Sequence, residues 1–144
     1  MVRRPAFDGA SEVEFLVPTA LARQVFQAPA EETWLVLYSA AWSEASEYVF
    51  PIFADLSVQY TSDRLRFATV EAGRWPEAAE MAEVDDSVGS GQVPSIILYQ
   101  DGKEVKRLPP KGADGKVKPV KMDRGTLKRY FDLDRLKFEE SKVK

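Results

Sequence analysis

The strongest pattern in the chain is an unbroken apolar run from Trp34 to Tyr38. A run of strand length with no polar alternation belongs to a strand covered on both faces, so it predicts the central strand of a sheet. Val13 to Val17 alternates glutamate with apolar residues and predicts a first strand at an edge. Leu65 to Val70 mixes alternation with β-branching and predicts another. Ser95 to Tyr99 and Lys103 to Leu108 flank Gln100, Asp101 and Gly102, a hairpin pattern in which Gly102 takes positive φ.

Between the strands the spacing becomes helical. Pro18 and Thr19, with Thr19 as N-cap, open a run through Leu21, Val25 and Phe26 that Pro29 stops. Val49, Ile52, Phe53, Leu56 and Tyr60 give one apolar face to a helix from Ser43 to Tyr60, bent at Pro51. Pro76 opens a shorter helix through Val84, and Ser87 to Gly91 reads as a loop. After a Pro/Gly/Lys loop from Pro109 to Lys121, Asp123 caps a helix carrying Leu127, Tyr130 and Phe131, and a further short helix runs to about Phe138. The order βαβαβαββα predicts an α/β fold: a three-layer α/β/α sandwich with a mixed central sheet and an extra C-terminal helix. Its expected bounds are 12–138, between a flexible N-terminus (1–11) and a flexible tail (139–144).

Composition narrows the chemistry. The chain has 144 residues, 44% hydrophobic and 30% charged, which suits one globular domain with one core. It has no cysteine and no histidine, which excludes thiol exchange, Cys/His zinc sites and a Ser-His-Asp triad. No metal and no cofactor is expected. Charge is uneven: residues 1–100 hold 6 Lys+Arg against 15 Asp+Glu, and residues 101–144 hold 14 against 8. The basic 103–121 segment offers a weak site for anionic lipid, but its lysines are interleaved with acids, Pro and Gly, and nucleic acid is not an expected partner. No apolar run reaches the roughly 18 to 20 residues of a membrane span, and Arg3 and Arg4 are not followed by the apolar stretch of a signal peptide, so the chain as given is expected to be soluble.

Two segments carry a family resemblance. Ala41, Trp42, Ser43, Glu44, Ala45 and Ser46 end the central strand, and Val93, Pro94 and Ser95 precede the hairpin. In this element order they resemble the thioredoxin family over nearly the whole chain. In that family a tryptophan precedes a CxxC motif at a helix N-terminus, and a cis-proline faces it. The resemblance implies that Trp42 and Pro94 hold those positions, that the Val93–Pro94 bond is cis, and that Ser43 and Ser46 replace the two cysteines. It also implies that Leu37 stands where active members bury a proton-relay carboxylate. Trp42 with Ser43, Ala54 to Ser57, Gly73 to Trp75, Ile96 to Glu104, and the basic loop leading into Arg129 to Leu133 further resemble the thioredoxin-related transmembrane protein 2 group. That group has serine in place of the first active-site cysteine; Ser46 departs from it at the second. Its members are anchored in the endoplasmic reticulum membrane, which implies a parent of that kind without indicating the side.

A CxxC dithiol works because the helix dipole favours the first thiolate, which attacks a disulfide, and the second thiol resolves the mixed disulfide. A serine hydroxyl does neither at neutral pH. Ser43, Ser46 and Leu37 are therefore expected to be vestigial redox positions, with no catalytic residues, while Glu44 and Glu47 support the positive end of the helix. The surface of Trp42, Ser43, Glu44, Ala45, Val93 and Pro94 remains a candidate for a protein or extended-peptide partner, because a cis-proline loop offers backbone groups to an extended chain. Two alternatives stay open: a structural domain that self-associates over a vestigial surface, and an oxidoreductase whose cysteines were replaced by design. Leu37 speaks against the second, since such a design has no reason to remove the relay acid.

Overall fold

The apolar run around Leu35 lies in the middle of a five-stranded mixed sheet. The computed structural model describes residues 11–28, 32–62, 64–84, 93–110 and 120–136. Strand β2 (Thr33–Ser39) is flanked by parallel β3 (Leu65–Glu71) and antiparallel β4 (Ser95–Gln100). Strand β1 (Val13–Phe15) pairs with β3 at one edge and β5 (Lys103–Leu108) with β4 at the other. All seven residues from Trp34 to Ala40 are buried, which is why β2 carries no polar alternation.

The two-residue period of the strands divides the core in two. Leu35, Leu37, Phe67 and Ile96 face α2 (Glu44–Tyr60) and α4 (Arg124–Phe131), where Phe53 meets Phe67 edge-on at 5.3 Å. Val36, Tyr38, Val70 and Ile97 face α1 (Pro18–Leu21) and α3 (Pro76–Met81). Helix α2 is 17 residues long and runs through Pro51, burying Val49, Phe53, Leu56 and Tyr60 against the sheet. Its Ser57 hydroxyl accepts the Glu12 N–H at 2.9 Å, tying the approach to β1 onto the helix.

Local chemistry explains most boundaries and corrects several. Asp123 accepts the Thr126 N–H at 2.8 Å and caps α4 as expected. The β4–β5 turn has positive φ at Gly102 and also at Asp101, the pair that a tight primed turn requires. A side chain at 102 is excluded twice over, because its Cβ would lie 2.2 Å from the Phe26 carbonyl oxygen.

Thr19 is not the N-cap of α1. Pro18 takes the first helical position, where its fixed φ suits the helix, so the cap falls on Val17, which has no side-chain acceptor. Beyond Leu21 the helix widens over Ala22–Phe26, and the Gln27 N–H reaches back five residues to the Ala22 carbonyl at 3.0 Å. β1 ends at Phe15 rather than Val17, and α3 ends at Met81 rather than Val84, because Glu83 turns to φ 56. Residues 133–136 form one further helical turn after α4. Pro29, the 87–91 loop, residues 111–119 and Phe138 lie outside the described residues.

Candidate functional site

The site forms where β2 and β3 end and β4 begins. Ala40 lies at its centre. The Ala72 N–H bonds the Ser39 carbonyl at 2.6 Å, and a Cβ on Gly73 would lie 3.3 Å from the Ala40 Cβ and 3.8 Å from Trp42 Nε1. The β2–β4 ladder ends with Tyr38 opposite Ser95, and just before it Val93 joins the buried cluster that holds Ala40 and Ala72. The Val93–Pro94 peptide bond is cis, as the resemblance implied; Leu108–Pro109 is cis as well. Three chain segments thus converge on the turn that carries Trp42.

That turn closes with the Ser43 N–H on the Ala40 carbonyl at 3.0 Å. Ser43 is then the N-cap of α2, its hydroxyl accepting the Ser46 N–H at 3.2 Å. Ser46, in the first turn of the helix, accepts the Ala40 N–H at 3.2 Å through its own hydroxyl. Both side chains are buried, 6% and 4% exposed. Buried N–H groups need partners, and here the two serines supply them.

The candidate surface is therefore smaller than its sequence suggests. Trp42 is 45% exposed, and Glu44 and Ala45 are exposed beside it, but Ser43, Val93 and Pro94 are buried. Ser43 turns inward to cap the helix, and Val93 packs into the core cluster that contains Ala40 and Ala72. Leu37 is fully buried on the α2 side of β2, paired in register with Thr69 and Ile96. Among the described residues no carboxylate is buried, so none stands in for the relay acid. Among those residues no cluster of acids could hold a metal ion.

One polar network lay beyond sequence reasoning. Arg107, 9% exposed, donates to the carbonyls of Ala82 at 2.6 Å and Glu83 at 2.9 Å and to both carboxylate oxygens of Glu104. Near it the Tyr38 and Tyr99 hydroxyls share a hydrogen bond of 2.9 Å, and burial pushes both phenols up, Tyr99 to about 12. A cleft of about 470 Å³ is lined by Glu83, Glu104, Lys106, Arg107 and Tyr130. Lys106 Nζ donates to the Tyr130 carbonyl at 3.0 Å, and the Tyr130 hydroxyl to the Arg107 carbonyl at 2.7 Å. Two basic residues of the 103–121 segment are thus internally bonded.

The solved structure of a thioredoxin from Malassezia sympodialis superposes with a TM-score of 0.64 at 13% identity, over 90% of this chain and 96% of that one. The chain therefore has the thioredoxin fold. Within the class, its similarity is to thioredoxin-related transmembrane protein 2. It is 34% identical to form 2-B of Danio rerio over 76% of this chain and 36% of the relative. It is 29% identical to the Xenopus laevis protein over 97% of this chain and 48% of the relative, and 27% identical to the Drosophila melanogaster homolog over 92% and 49%. The chain thus spans about half the length of the curated relatives it matches. No protein-family model matches it. Among the described residues no helix is long and apolar enough to cross a membrane.

Proposed function

We propose that this is a redox-inactive thioredoxin-like domain that binds protein or extended peptide at the surface around Trp42, within a membrane-anchored parent of the endoplasmic reticulum. The observation that carries the reading is the contrast within one turn: Ser43 and Ser46 are buried and bonded to backbone, while Trp42 beside them is 45% exposed. A large aromatic ring left half in water is a natural anchor for a partner, because burying it yields much area for little lost side-chain freedom. On this reading the domain carries out no thiol-disulfide exchange: that chemistry needs thiols, and the chain has no cysteine. Support for a membrane-anchored parent comes from the relatives, which are named as transmembrane proteins, and the endoplasmic reticulum follows from the family resemblance alone.

Heteronuclear NMR of the labelled domain titrated with unstructured peptides tests the reading. Shift changes clustered at Trp42, Glu44, Ala45 and residues 93–95 are expected. Changes confined to 103–110 would replace it with an electrostatic partner, and a blank spectrum across the panel would replace it with a structural role. An insulin-reduction assay is expected to show no turnover.

A further inference from the structure

Exposed Trp42 is followed within six residues by exposed Ala45 and Tyr48 of α2. Ala45 and Tyr48 lie three residues apart, hence on one helix face, and Tyr48 is 60% exposed. Glu44 and Glu47, both exposed, occupy the same first turns. The charge of this helix is one-sided: α2 carries Glu44, Glu47 and Asp55 and no Lys or Arg. The basic group beside the site is Arg74, next to Gly73, and its guanidinium lies over the Trp75 ring at 5.3 Å.

From this complementarity we propose that the Trp42–Ala45–Tyr48 face takes an extended peptide that combines apolar anchors with lysine or arginine, and discriminates against acidic peptides. The proposal rests on the peptide-binding reading above and adds its charge preference. Apolar contact with Trp42 and Tyr48 supplies attraction whatever the charge of the ligand. Glu44 and Glu47 add selectivity, since like charge set against them is repelled while a cation is drawn in. An anionic lipid surface is disfavoured by the same field.

Two unstructured peptides with identical apolar residues, one bearing lysines and the other glutamates at the intervening positions, are titrated into the labelled whole chain. The lysine peptide is expected to shift Trp42 indole, Ala45 and Tyr48 signals with an affinity about three- to tenfold tighter than the glutamate peptide, as two exposed charge pairs allow. The difference should shrink at high salt. In the variant Glu44→Gln with Glu47→Gln, the lysine peptide should weaken while the glutamate peptide does not, with dispersion of the remaining signals reporting an intact fold. Equal affinity for both peptides overturns the charge preference and leaves peptide binding standing. Absence of binding by either overturns both. Shifts on this face from vesicles containing anionic lipid, or salt-sensitive self-association of the chain alone through it, assign the surface to another occupant and overturn the proposal.

Discussion

A hydroxyl in place of a thiol changes what a position can do for the backbone. Ser46 accepts the buried Ala40 N–H and Ser43 accepts the N–H of Ser46, so each oxygen satisfies a donor that water cannot reach. Ser46→Ala is expected to destabilise the domain by about 1–3 kcal/mol, the range for orphaning a buried donor. Ser43→Ala removes an N-cap and should lose about 1 kcal/mol. Urea unfolding of the two single variants measures both. By contrast the ion pairs Arg66–Glu14 and Arg124–Asp55 have side chains more than a third exposed, and breaking either should shift stability by less than about 1 kcal/mol.

At the scale of elements, Arg107 holds the end of α3 against the sheet. Its guanidinium meets the carbonyls of Ala82 and Glu83, which follow the last helical residue, while Glu104, three residues earlier in β5, satisfies the charge. Arg107→Ala leaves those carbonyls unmatched and is expected to cost about 2–3 kcal/mol, with hydrogen exchange accelerating in α3 before the central strands. None of this was visible in the sequence, because the partners lie 24 and 25 residues apart and an arginine beside a glutamate in a hairpin reads as surface. The elements themselves were legible. The burial of β2, the edge position of β1, the Asp123 cap and the Gly102 turn all follow from period or from one residue's backbone preference. Thr19 misled because two cap signals overlap and the proline prevails. At the site, Trp42, Ser43 and Pro94 were found by resemblance, but the inward turn of Ser43 depends on where the helix starts to within one residue.

For the molecule as a whole, missing residue types set the response to pH. With neither histidine nor cysteine, no side chain of ordinary pKa titrates between about pH 6 and 9, so stability should be flat across that window. At higher pH the phenols intervene. Burial raises Tyr38 well above the usual value and Tyr99 to about 12. The folded state thus holds protons that the unfolded state releases near pH 10. The stability they contribute is complete below about pH 10 and is lost as pH rises toward 12. Thermal unfolding as a function of pH, together with a phenolate absorbance that lags behind free tyrosine, checks this; Tyr38→Phe should reduce the lag. At the acid end, the Thr126 backbone N–H holds the Asp123 carboxyl below its usual range, so the cap of α4 weakens as pH falls through that lowered value.

The engagement of Ser46 with Ala40 also bears on which sequences are within reach of this one. A sulfur at position 46 is a bulkier and far weaker acceptor, so the first step back toward a dithiol would loosen the turn it was meant to arm. A second sulfur at position 43 would forfeit a good helix cap, and the proton relay would still require an acid in place of Leu37, in the interior of the sheet. Each step lowers stability before the set of three can act together, within a total margin of about 5–15 kcal/mol. The serine pair thus ties the stability of this turn to its hydroxyls, and Ser43→Cys or Ser46→Cys is expected to lower the midpoint of urea unfolding.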